Sequence, residues 1–193
     1  MKHNKAFFFL FLWLVSAGLS AQSTRQTAES QIVMLKNGVL LVRLKTSENY
    51  INTLLRQGDK EGAEKARQDQ EKQNREIVAA FRDNFTFCKV YFFYSKYSEK
   101  VQSGNFKGYL RDTSYVQDTT YSGNDYLLGE FGESETTHLQ GFIMKDHYSQ
   151  QLKSPFPFLI KLNRNGVIER SKPEIVQALN KELFAYYRHV TGK

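Results

Sequence analysis

Apolar positions along this chain change period several times, and each change marks an element. Val39–Leu44 (VLLVRL) is apolar throughout except at Arg43, the pattern of a strand buried on both faces. Thr46 or Ser47 then offers an N-cap with Glu48 in the first turn, and Tyr50, Ile51, Leu54 and Leu55 recur at helical spacing. Gly58-Asp59 breaks that helix, with Gly58 suited to the left-handed position after a C-cap. A second helix is predicted from about Lys60 to Phe81. Its stretch Glu61–Glu76 is nearly all polar, with Glu61/Lys65, Arg67/Glu71 and Glu71/Arg75 at i,i+4 spacing; only Ile77, Val78 and Phe81 are placed to enter a core. One straight helix through both segments would reach roughly 50 Å, too long for a close crossover. The spacing therefore predicts an uneven, charged helical hairpin standing into solvent.

Thr86–Tyr94 (TFCKVYFFY) is the strongest strand pattern in the chain and predicts a central position. With the first strand and the helices between, it makes a parallel βαβ unit. Shorter strands are expected at Gly108–Arg111, Asp125–Phe131 and Leu139–Met144, the last two as an antiparallel hairpin, with turn residues around Ser122–Asp125 and Gly132–Thr136. Phe156–Leu162 reads as a further strand, turned by Asn163–Gly166 into Val167–Glu169, where Asn165-Gly166 is a type I′ signal. Ser171, Pro173 and Glu174 form a capping box with proline in the first turn, and Val176, Leu179, Leu183, Tyr187 and Val190 make an apolar helical stripe. The fold class is α/β. It comprises a mixed β-sheet with an N-terminal βαβ unit carrying a long charged helical hairpin, antiparallel strands and a C-terminal packing helix.

The start of the chain changes the compartment. Lys2, His3 and Lys5 precede the apolar run Ala6–Val15, and the small residues Ser16, Ala17, Gly18, Ser20 and Ala21 follow. Basic, apolar and small-residue segments in that order make a secretory signal peptide. The apolar stretch of about 14 residues is shorter than the ~20 needed to span a bilayer. The signal is assigned to residues 1–21, with cleavage after Ala21 or Ser20, then a flexible leader over 22–31 and one α/β domain over 32–193. With no cysteine at the site no lipoprotein anchor is expected, and no later segment is apolar enough to predict a membrane span. The expected location is periplasmic or secreted. Beyond residue 21 the chain has 25 basic and 20 acidic residues, a net charge of +5. That excess is interspersed rather than clustered, which argues against nucleic acid as a partner.

Chemistry is sparse by comparison. The lone Cys88 excludes an internal disulfide; on its strand it shares a face with Thr86, Val90, Phe92 and Tyr94, an apolar setting that raises a thiol pKa. A mixed disulfide or a reactive thiol at Cys88 stays open. His138, His147 and His189 form no metal-ligand spacing, although His138 with Glu133 and Glu135, or Asp146-His147, could converge in space. Tyr109, Tyr115, Tyr121 and Tyr126 fall in the short-strand region. They read as half-buried strand tyrosines or as an aromatic surface for glycan stacking. No Walker loop, nucleophile elbow or dinucleotide fingerprint occurs. No catalytic, cofactor-binding or metal-binding residue is assigned, and no cofactor is expected.

Residues 154–190, with Pro155 or Pro157 opening a strand, an Asn-Gly turn and a closing helix, resemble the C-terminal half of thioredoxin-like domains. That resemblance implies the fold alone, because Ser47–Leu55 has no cysteine where the family carries its Cys-x-x-Cys. As a whole the chain resembles small exported proteins of Bacteroidetes, on the Ser20-Ala21-Gln22 signal ending, the Gly38–Leu44 strand with its charged helical sequel, and the Pro155–Phe158 segment. The expectation is an exported soluble envelope protein, a non-catalytic binding or scaffolding module with a protein partner on the charged helical arm. The alternative is a redox-inactive thioredoxin-like domain that binds peptides or thiols.

Overall fold

The structure is a computed structural model that describes residues 22, 24–118, 120–164 and 168–192. The signal segment 1–21 and the Asn165-Gly166 turn lie outside the described residues. Helix α1 (residues 24–37) leads into β1 (Val39–Leu44), then α2 (Glu48–Arg56), α3 (Lys60–Asn84) and β2 (Lys89–Tyr94). A 3-10 turn at Ser95–Tyr97 runs into α4 (Ser98–Gln102). There follow β3 (Leu110–Arg111), β4 (Gln117–Asp118), β5 (Tyr126–Glu133), β6 (Gln140–Lys145), β7 (Leu159–Lys161), β8 (Asn163–Arg164), β9 (Ile168–Glu169) and α5 (Lys172–Thr191).

The main sheet has the order β4-β3-β2-β1-β5-β6-β7. Its centre, β1, is parallel to both β2 and β5, and the remaining pairs are antiparallel. The crossover from β1 goes to one side of it, where β3 and β4 continue the sheet outward from β2, and the chain leaving β4 returns across it to β5 on the other. The C-terminal ends of β1 and β5 therefore flank a topological switch point, the place where open α/β sheets bind ligands.

Because strand side chains alternate, β1 feeds two layers. Leu40, Val42 and Leu44 join Val90, Phe92, Leu127, Phe142 and Met144 against Ile32 and Leu35 of α1, Ile77, Val78 and Phe81 of α3, and Ile175, Val176, Leu179 and Leu183 of α5. Val39 and Leu41 join Tyr91, Phe93, Tyr126 and Leu128 beneath Val101 of α4, Phe106 and Leu110. Three helices cover the first face; one short helix and a loop cover the second.

Several expectations are corrected here. The segment 22–31 is not a flexible leader: residues 24–37 are helical, and Ala28, Ile32 and Leu35, at i, i+4 and i+7, are buried. Ser47 stands at the N-cap of α2 but has a left-handed backbone (φ 51°), and its hydroxyl bonds the Gln70 side chain on α3 instead of a first-turn amide. Arg67 pairs with Glu64 instead of Glu71, while Glu71–Arg75 forms at 3.3 Å. The strand read over Phe156–Leu162 shrinks to β7. A turn after the cis Ser154–Pro155 bond buries Phe156 from outside the ladder, with Phe156 N–H bonded to Lys153 O. Ile168–Glu169 pairs with β8 in a separate two-stranded ribbon.

The helical hairpin is present and is tied back. Asp59 caps α3 by accepting from Gly62 N–H at 2.8 Å. Ile51 of α2 and Ala63 of α3 are buried, and buried Asn74 donates to Lys45 O at 2.8 Å where β1 ends. At the other end of the chain, Glu174 accepts from Ser171 N–H at 2.8 Å, so α5 starts on the predicted capping box. Among the described residues no helix is long and apolar enough to cross a membrane.

Candidate functional site

The sequence-derived suspects do not come together. Cys88, just before β2, packs against the core under α1, α3 and α5. Burial pushes its thiol up to about 12, against smaller opposing effects of a backbone hydrogen bond at Leu40 and the Lys36 charge. His138 lies in the β5–β6 turn with Nδ1 2.9 Å from Glu133 Oε1, and both side chains are largely exposed. His147 follows the other end of β6 and stacks on Tyr148 at 3.7 Å between ring centroids. With all of β6 between them, the two imidazoles face different surroundings. His189 is exposed near the end of α5. Among the described residues no group of three or more His, Cys, Asp or Glu side chains is placed to hold a metal ion.

The short-strand tyrosines do not form one aromatic surface. Tyr126 is buried and Tyr121 half-buried, both against Phe106, at 5.4 and 5.1 Å between ring centroids. Tyr109 lies against Tyr97 at 4.8 Å. Tyr115 turns away to Tyr94, with hydroxyls 2.5 Å apart, and both hydroxyls point to Glu71 of α3. Only Tyr126 lies in a strand; the loops that carry the other three and the α3 carboxylate divide the group.

A different constellation occupies the thin face at the switch point. Arg43 of β1 lies directly beside Glu130 of β5 in the parallel ladder, and Lys145 of β6 pairs with Leu128, one step along the same face. Arg43 Nη1 donates to Glu130 Oε2 at 2.7 Å and Lys145 Nζ to Glu130 Oε1 at 2.9 Å. Glu130 and Lys145 side chains are only 14% and 17% exposed, Arg43 38%. Burial works against the charge on Glu130, but the hydrogen bonds from Lys145 and Arg43 outweigh it and hold the carboxyl below its ordinary value. On Lys145, too, burial opposes the charge and the bond to Glu130 outweighs it, so the ammonium is raised. Glu130 and Lys145 are therefore both charged near neutrality.

Helix α4 makes the wall of this site. Val101 anchors the helix in the smaller core, which turns Ser98 and Gln102 toward the charges. Arg43 Nε donates to Ser98 Oγ at 2.9 Å, and Ser98 in turn donates to Ser95 O at 2.6 Å. Gln102 bonds Ser149 across the opening. Phe93, Leu128 and Gly129 form the apolar floor of a cavity of about 190 Å³. Gly129 is required by its opposite side, where an added Cβ would stand 2.4 Å from the Phe142 ring.

This arrangement presents charged and hydrogen-bonding groups to the cavity, and neither of its serine hydroxyls rests on a free base. Its one carboxylate is held by two cations, and its serine hydroxyls are engaged with Arg43, a carbonyl and an amide. Sequence reasoning did not assign Arg43, Glu130 or Lys145. The signal for them was a charge inside or ending an otherwise apolar strand (VLLVRL, YLLGEFGE, QGFIMK), since buried charges are kept only when paired. The chain matches no protein-family model, no curated protein and no solved structure.

Proposed function

We propose that this chain is an exported, non-catalytic binding module whose ligand site is the cavity between Arg43, Glu130 and Lys145. The basic-apolar-small order of residues 1–21 supports export. The observation that carries the binding reading is the satisfied charge triad facing an open cavity at the switch point of the sheet. Maintaining ion pairs in a low-dielectric setting costs desolvation, and a purely structural sheet would fill those three positions with apolar residues. A screen by differential scanning fluorimetry against small anions, cations and neutral polyols, with mass analysis of each mixture, tests it. Stabilisation by at least one class without chemical change to it is expected. Turnover of a compound, abolished by substituting Glu130, would contradict the non-catalytic reading.

A second reading is a thioredoxin-like domain without redox activity. The parallel βαβ unit and the closing helix α5 behind β7 support it. Its thiol-binding form requires an accessible Cys88. Iodoacetamide at pH 8 should label Cys88 only after denaturation, because the buried thiol has its pKa raised to about 12. Rapid labelling of the native protein would favour the thiol-binding form.

A further inference from the structure

We propose that the cavity takes a small monoanionic carboxylate and that Glu135 is the built-in competitor which that carboxylate displaces. The inference rests on the binding reading above and names its ligand class. Two cations, Arg43 and Lys145, meet one buried anion, Glu130, so the cavity walls carry one uncompensated positive charge. The structure meets that charge from outside: Glu135, on the β5–β6 turn, reaches Lys145 Nζ at 3.4 Å with its own side chain 59% exposed. This contact is longer and wetter than the 2.9 Å bond from Lys145 to Glu130. Exposed ion pairs contribute little, so a carboxylate entering the cavity exchanges a weak partner of Lys145 for a desolvated one. The turn that carries Glu135 is itself fixed, since Glu135 N–H donates to buried Gln151 Oε1 at 2.9 Å. Only the side chain has to move.

The remaining walls narrow the class. Beside the cations, Ser149 and Gln102 are bonded to each other across the opening, which leaves the Ser149 hydroxyl hydrogen and the Gln102 carbonyl for a ligand, and Phe93 and Leu128 offer a short apolar floor. A small acid bearing a hydroxyl or amide and a short aliphatic part matches that division. The volume of about 190 Å³ lies below the ~300–1,000 Å³ of pockets for drug-sized ligands. A cation would meet Arg43 and Lys145 with both neighbouring carboxylates already paired, and a neutral compound would leave Lys145 with Glu135. A free hydroxy acid and the C-terminus of a peptide share the required carboxylate, so both sources enter the test.

The test is a titration followed by ¹H–¹⁵N spectra of the protein with L-lactate, N-acetyl-alanyl-alanine and, as the neutral control, methyl lactate. Lactate or the peptide should shift the amides of Gln102, Glu130, Lys145 and Ser149, and whichever binds more tightly identifies the source. Methyl lactate should bind at least tenfold more weakly. Glu135→Gln, an exposed substitution that leaves the core untouched, should tighten carboxylate binding several-fold. Lys145→Met should weaken it at least tenfold. If methyl lactate binds as well as lactate, the carboxylate class is overturned while the binding reading stands. If no probe moves those amides, the carboxylate proposal falls, and the binding reading falls with it only if the fluorimetry screen also finds no stabilising class. An unchanged affinity in Glu135→Gln overturns the competitor role.

Discussion

The two faces of the central sheet share the same strands and differ in what alternate positions carry. On the thick face, Leu40, Val42 and Leu44 of β1 meet apolar residues from three helices, and Phe81 packs edge-on or tilted against Phe85, Phe92 and Phe142. On the thin face the same strand presents Val39, Leu41 and then Arg43, and the neighbouring strands present Glu130 and Lys145. The apolar layer there ends where the charges begin, and among the described residues α4, with Val101 as its one buried residue, is the only helix over it. Apolar burial is concentrated on one face, and the other carries paired charges and a cavity.

Substitutions can break that comparison or sharpen it. The largest loss is expected from Phe81→Ala, about 4 kcal/mol in chemical denaturation, from lost burial and a cavity among three rings. The thin-face counterpart Phe106→Ala, flanked by Tyr121 and Tyr126, should cost at least 1 kcal/mol less; the reverse order would break the comparison. Glu130→Ala comes next, at about 2–3 kcal/mol, because it leaves Lys145 buried with only Glu135 while Arg43 can turn to solvent. This loss has a pH signature. The folded Glu130 carboxyl titrates below its ordinary 4.5, so its contribution is whole above about pH 4.5 and disappears as pH falls through the folded value. Glu130→Ala should therefore flatten the acid limb of the stability profile. The smallest effect is expected on the arm. Arg67→Glu breaks an exposed pair with Glu64 and should leave the denaturation midpoint almost unchanged; a clear drop in the midpoint would mean that the charged helix surface does structural work.

What could be read from the sequence follows from how local each signal is. The β1 run, the Ser171–Glu174 capping box and the two-helix hairpin rest on neighbouring residues, and each stands close to where its pattern placed it. Helix α1 was hidden because Ala28, Ile32 and Leu35 form a thin stripe in a polar segment, and the core beneath them comes from strands and helices far along the chain. The strand expected at Phe156–Leu162 was shortened by a turn that its apolar residues mask. The site was the least legible part. Arg43 and Glu130 are 87 residues apart, and only the strand order β1-β5-β6 sets them beside Lys145. Each charge was visible alone as an exception in an apolar strand; the pairing that explains the exceptions exists only in the fold.

Native-state hydrogen exchange tests the division between the faces most directly. The amides of β1, the C-terminal half of α3 and α5 should exchange only through global unfolding, and those of α4 and residues 103–109 through a local opening at least 2 kcal/mol cheaper, on the scale of sub-global openings in small domains. Equal protection of α4 and the C-terminal half of α3 would contradict the account, because the wall of the cavity would then be as much a part of the structural core as the helices on the opposite face.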